Sequence, residues 1–179
     1  MDEGTPHLIR RDAYRAPAYW IRSVELSFDL DPAKTLVTSR MRVERNTGLD
    51  AEPLRLHGEE LNLLRVQADG QSVSFRNEDG MLVIDAPRAE AFTLEIRNTC
   101  APERNSALSG LYTSGGGLFT QCEAQGFRRI TYFLDRPDVM CVYTVTLRAD
   151  RGAYPVLMCN GNLAAQVEFD DGRNFATWH

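Results

Sequence analysis

The stretch Val24-Glu25-Leu26-Ser27-Phe28-Asp29-Leu30 places an apolar side chain at every second position and a polar one between. Side chains of an extended strand point alternately to opposite faces, so this pattern describes a strand with one buried face and one wet face. Asp31-Pro32 then ends it. Alternation resumes from Thr35 to Val43, with Val37, Met41 and Val43 on one face and Arg40, Arg42 and Glu44 on the other. The same period returns at Leu54-Arg55-Leu56, at Val66–Ala68 and at Phe92, Leu94 and Ile96. It returns once more along Val139, Cys141, Tyr143, Val145 and Leu147, the longest run. Asp69-Gly70, Asp79-Gly80, Asn160-Gly161 and Asp171-Gly172 supply turns between them. No long stretch carries the 3.6-residue period of a helix. The chain is predicted to be all-β, a two-sheet sandwich-like domain.

Composition limits the function. The 179 residues are 43% apolar and 25% charged, with a net charge of −5. That length suits one domain able to bury roughly 70% of its unfolded surface. Disorder is excluded by the apolar content, and a membrane-spanning helix by the absence of a run of about 18 apolar residues. The acidic balance argues against nucleic acid as a partner, because phosphates need a basic field. The three histidines, His7, His57 and His179, are scattered, which argues against chemistry needing an imidazole cluster. Residues 1–15 lack the apolar core of an export signal. No Cys-x-x-Cys pair is present, which argues against a zinc knuckle. Without an export signal, Cys100, Cys122, Cys141 and Cys159 read as free thiols in a reducing cytoplasm, and Cys141 and Cys159 as small buried hydrophobes.

Residues 98–138 break the rhythm. They hold Gly115-Gly116-Gly117 and then Gln121-Cys122-Glu123-Ala124-Gln125-Gly126-Phe127. So long an irregular segment is either a mobile loop with one helical turn or a functional element. The triple glycine lacks the Lys-Ser/Thr of a phosphate loop and reads as a flexible tip. His57, beside Gly58, reads as a turn histidine. Asp135-Arg136-Pro137-Asp138 reads as a turn held by an Asp–Arg contact. No local set of catalytic or metal-binding residues is visible.

The run from Thr120 to Val139 closely resembles a signature of the bacterial aminopeptidase N family, zinc metallopeptidases of the gluzincin type. Tyr14-Arg15-Ala16-Pro17, Phe28-Asp29-Leu30-Asp31, Pro53-Leu54-Arg55-Leu56, Gly110-Leu111-Tyr112 and Asn160-Gly161-Asn162 are similar to that family in the same order. The resemblance covers roughly residues 12–178. It implies a saddle-shaped amino-terminal β domain over 13–179 preceded by an extension, 1–12. It also implies a separate catalytic domain in the same polypeptide that carries the zinc. The chain is thus expected to be a piece of a larger enzyme, inactive alone, with no metal ligand and no catalytic residue of its own. Peptides and that catalytic domain are its implied partners. Two positions carry over as substrate-binding residues. Glu123 matches the glutamate that holds the substrate's free α-amine, and Gln121 matches the glutamine lining the pocket for the first side chain. Gln125 departs from the acidic residue expected there in some relatives.

The competing reading is a free-standing β-sandwich interaction module without catalysis. It expects a polar, solvated surface around Gln121 and Glu123, whereas an exposed apolar patch there indicates an absent partner domain. A third reading is a homologue whose catalytic domain has lost its metal.

Overall fold

A computed structural model of the chain describes residues 10–85 and 89–179. His7 and most of the expected 1–12 extension lie outside the described residues. Thirteen strands form among them: β1 (Tyr19–Asp29), β2 (Thr35–Arg45), β3 (Leu54–His57), β4 (Asn62–Ala68), β5 (Gln71–Ser72), β6 (Phe75–Glu78) and β7 (Met81–Ile84). They continue with β8 (Ala91–Cys100), β9 (Gly110–Ser114), β10 (Gly117–Gln121), β11 (Val142–Asp150), β12 (Leu163–Glu168) and β13 (Arg173–Trp178). The helices among the described residues are three short 3-10 turns. The all-β reading holds.

Eight strands build one sheet in the order β12-β13-β11-β1-β2-β8-β4-β5, and three build a second in the order β3-β7-β6. The β9–β10 hairpin makes a third, small sheet. Alternation decides which face is buried. Val24 pairs with Met41, and Met41 with Leu94, so three apolar side chains line up across the centre of the large sheet. Val43 pairs with Phe92 in the next row. Leu54, Leu56, Leu82 and Ile84 of the three-stranded sheet are fully buried in the same cluster. The core therefore lies between these two sheets, with β2 and β8 at its centre.

The structure departs from the periodicity in four places, each with a physical cause. β1 begins at Tyr19, five residues before the alternation becomes legible. A register shift between Ile21 and Ser23 places Arg22 and Ser23 consecutively outside, so Ile21 and Val24 both face inward at odd spacing. The irregular segment is not a loose loop. Gly115 and Gly116 both take positive φ (55° and 83°), the pattern of a type I′ turn, and join β9 to β10 as a tight hairpin. β11 begins at Val142, leaving Val139 and Cys141 in the preceding connection. It pairs in parallel with β1 and antiparallel with β13. Finally, Cys141 and Cys159 are half-buried rather than buried, and all four cysteines are free.

Candidate functional site

The site grows from the end of the β9–β10 hairpin. Gln121 closes β10 opposite Gly110. The chain then turns through Cys122–Gln125, and the Gly126 N–H donates to the Cys122 carbonyl at 2.8 Å. Glu123 stands on this turn, exposed, and its peptide bond to Ala124 is cis. The Gln121 carboxamide reaches the Glu123 carbonyl at 3.5 Å, so the two expected substrate-binding residues are neighbours. Among the described residues, no side chain hydrogen-bonds or pairs with the Glu123 carboxylate, and the turn fixes the backbone from which it extends.

Two glycines let that backbone pack closely. Gly110 has φ +79°, and a Cβ there would come within 2.5 Å of the Arg129 Cβ. A Cβ on Gly126 would overlap the Gln121 carbonyl oxygen and lie 2.7 Å from Ser109 Oγ. Behind the turn, Phe127 meets Phe133 edge-to-face at 4.8 Å and Tyr143 at 6.0 Å. Asn98 ties the segment to the large sheet. Fully buried on β8, it donates Nδ2–H to the Ile130 carbonyl (2.9 Å) and accepts from Thr131 Oγ1 (2.9 Å). Asn98 continues the inward phase of Phe92, Leu94 and Ile96. A polar residue in that phase is the sequence signal for this tie, and periodicity alone passes over it.

Asp135 and Arg136 take different partners. Arg136 grips Asp138 with two bonds, Nε to Oδ1 at 2.9 Å and Nη2 to Oδ2 at 2.7 Å, which holds the Asp138 carboxyl below the usual range. This is the expected local contact. The same corner fastens the Tyr14–Pro17 motif, because Tyr14 OH donates to Asp138 Oδ2 (3.0 Å) and Arg136 Nη2 to the Arg15 carbonyl (2.8 Å). Asp135 instead turns inward to Arg128, with Nε at 2.9 Å from its Oδ2.

His57 is the last residue of β3 rather than a turn residue, and it exchanges backbone bonds with Phe133 at 2.8 and 3.0 Å. Its Nδ1 is buried without a hydrogen-bond partner. Burial first, and then the Arg128 charge, lower its pKa from 6.5, against the partial opposition of the Phe133 backbone and Asp135. The unfolded chain therefore takes up this proton at a higher pH than the folded chain does. The contribution is intact above about pH 6.5 and is lost as pH falls through the folded pKa. Urea midpoints of wild type should fall faster below about pH 6.5 than those of His57→Gln. Parallel pH profiles would refute this.

Glu123 borders a trough of about 950 Å³. Its floor is the inward face of β1 and β11, with Leu26, Phe28, Tyr143 and Val145, and its walls are the β9–β10 hairpin and residues 153–160. Phe119 (50% exposed), Val156 (70%) and Met158 (75%) stand on its walls, so the surface around Glu123 is apolar. The Cys122 thiol beside Glu123 is pushed up to about 11 by burial and by the Asp135 charge, which keeps it protonated and a poor nucleophile. No group of three or more His, Cys, Asp or Glu among the described residues could hold a metal ion. No helix among them is long and apolar enough to cross a membrane.

Comparison with known proteins gives this geometry its context. The chain is 47% identical to aminopeptidase N of Escherichia coli over 174 residues, which cover 97% of this chain and 20% of that protein. Among solved structures, Legionella pneumophila aminopeptidase A, in complex with aspartic acid, superposes with a TM-score of 0.85 at 30% identity. That match covers 93% of this chain and 20% of the other. The M1 zinc metallopeptidase of Deinococcus radiodurans shares the fold, with a TM-score of 0.75 at 17% identity over 90% of this chain and 38% of that one. The chain thus spans about a fifth of the length of the Escherichia coli relative. The model of the peptidase M1 N-terminal domain matches residues 15–179, and the chain belongs to that family.

Proposed function

We propose that this chain is the amino-terminal β domain, residues 13–179, of a zinc aminopeptidase, and that it supplies the anchor for the substrate's free α-amine. The observation that carries the reading is Glu123: an exposed carboxylate with no partner of its own among the described residues, held at the rim of an open apolar trough. A peptide's α-amine has a pKa of about 8 and is mostly cationic at neutral pH. A carboxylate at a fixed position makes a charge-assisted hydrogen bond to it, and so measures one residue from the amino end. Holding the amine also fixes the first peptide carbonyl in place, which lowers the entropic part of the barrier. Gln121, next to Glu123, lines the pocket for the first side chain.

The trough is where the rest of the full-length polypeptide docks. The Escherichia coli relative is about five times as long as this chain, so a partner from the same polypeptide is at hand. Phe119, Val156 and Met158 are more apolar than a solvated surface requires, which disfavours the free-standing interaction module. Zinc, in this reading, supplies a Lewis acid and an activated water from the other domain. Among the described residues no group of three or more His, Cys, Asp or Glu could hold it. The same reading places the enzyme in the cytoplasm, where four unpaired thiols persist.

The test is a pair of assays. The 179-residue chain alone should release no arylamine from an aminoacyl arylamide. The full-length polypeptide should do so and should leave the N-acetylated substrate intact. Hydrolysis by the short chain, or equal rates on blocked and free substrates, refutes the proposal.

A further inference from the structure

We propose that the Arg128–Asp135 ion pair is a positioning clasp for Glu123, setting where the amine anchor points without touching substrate. The proposal rests on the reading of Glu123 given above.

Because no side chain among the described residues holds the Glu123 carboxylate, its place depends on the turn that carries it. That turn is braced from behind. The Cys122 carbonyl accepts from Gly126 N–H, and the Gly126 carbonyl accepts from Arg129 N–H at 3.0 Å, so the Glu123 turn runs directly into the Phe127–Arg129 3-10 turn. Arg128 lies in the middle of that 3-10 turn and makes four hydrogen bonds, beside a longer ion pair from its Nη1 to Glu59 at 3.8 Å. Its backbone N–H and its Nε both donate to Asp135 Oδ2, at 3.2 and 2.9 Å. Its Nη2 donates to the Asp135 carbonyl at 3.2 Å. Its own carbonyl accepts from Glu59 N–H, in the loop after β3, at 2.9 Å. The carboxylate therefore closes the segment 128–135 on itself, and the carbonyl moors it to the three-stranded sheet.

Arg129 also pairs, with Glu59 at 2.9 Å and Glu60 at 2.8 Å, but those carboxylates are 45% and 70% exposed. Water screens such pairs and leaves their side chains free to wander. The Arg128 and Asp135 side chains are only 14% and 11% exposed. A pair that deep cannot lose Asp135 without leaving the Arg128 charge only its longer contact with the half-exposed Glu59, so the backbone shifts to relieve it. Asp135 also borders the trough that Glu123 rims, and its charge is felt at the Cys122 thiol, one residue from the anchor. Movement at the clasp reaches Glu123 over a short rigid path, and a displacement near 1 Å can cost about 100-fold in a well-oriented site.

The experiment uses the full-length polypeptide and two zinc-directed probes, leucine hydroxamate and its desamino counterpart, 4-methylpentanohydroxamate. The ratio of their inhibition constants reports the amine contact alone. Glu123→Ala should abolish the preference for the amine-bearing probe. Asp135→Asn should reduce that preference by about 10- to 100-fold while leaving the desamino probe within about threefold of wild type. Arg128→Lys, which keeps the charge and loses the fork, should behave alike and serves if Asp135→Asn does not fold. Loss of the preference in Glu123→Ala with an unchanged ratio in both clasp variants overturns the clasp and leaves the anchor standing. Equal weakening of both probes also overturns it, since that is general damage rather than positioning. A preference that survives in Glu123→Ala overturns the anchor, and the clasp with it.

Discussion

Glu123→Ala in the full-length polypeptide should lower kcat/KM for unblocked aminoacyl arylamides by about 30- to 5,000-fold. That range corresponds to the loss of about 2–5 kcal/mol when one partner of a desolvated charge pair is removed. The size follows from where the residue sits. In the folded chain its carboxylate is exposed at the rim of the trough, so it is solvated and stable without substrate. In the proposed function, the remaining polypeptide and a peptide fill the trough, and the α-ammonium then loses water and depends on this group. Alanine leaves that cation unpaired. Stability should not change in step, because an exposed side chain with no partner among the described residues alters folding by no more than about 0.5 kcal/mol. Steady-state kinetics with a melting curve on the same sample separates the two. A kcat/KM within threefold of wild type removes Glu123 from the site.

Phe92→Ala should have the largest effect on folding. Phe92 is fully buried on β8, pairs with Val43 across the sheet and meets Tyr19 edge-to-face at 6.3 Å. Truncating a buried phenylalanine removes its transfer free energy and leaves a cavity, together about 3–5 kcal/mol. Tyr19 cannot simply swing into the space, because its hydroxyl is tied to the Glu52 carbonyl at 2.7 Å. For a chain of this size the melting temperature should drop by about 6–20 °C. Phe75→Ala is the control, since Phe75 is 47% exposed on the small sheet and should cost less than about 1 kcal/mol. Urea unfolding of the 179-residue chain measures both. A Phe92→Ala loss no larger than that of Phe75→Ala would contradict the core assignment.

Much of this fold is legible in the residues themselves, and the illegible parts share a cause. β2, β8 and the second half of β1 each bury one face completely, so selection for apolar side chains at every second position is strong there. β12 is exposed along its whole length and therefore has no face on which a pattern could be selected. The β9–β10 hairpin turns on consecutive glycines whose φ values, rather than any side chain, make the turn. At the candidate site, resemblance drew attention to Gln121 and Glu123, which the structure places side by side. What surrounds them was not legible, because Asn98 and Thr131 lie 33 residues apart in the chain, and Arg128 meets Asp135 through a 3-10 turn that no periodicity marks. The Asp135–Asp138 stretch read as a turn held by an Asp–Arg contact, which Arg136 and Asp138 make, and gave no partner for Asp135. The actual partner lies behind it in the chain, reached because the 3-10 turn folds Arg128 back.

The parallel pairing of β1 with β11 also has a consequence for synthesis. Ser23 finds Val142, and Asp29 finds Arg148, only after the ribosome has delivered the later strand. At about 5–20 residues per second, that is a wait of many seconds. During it β1 can pair with β2 on one side, while its other edge presents open backbone groups beside Leu26 and Phe28. The nascent chain therefore carries a sticky, half-built sheet until β11 arrives to close it. Any cellular factor that shields this domain during translation has its most useful target there, at an edge that the finished fold no longer exposes.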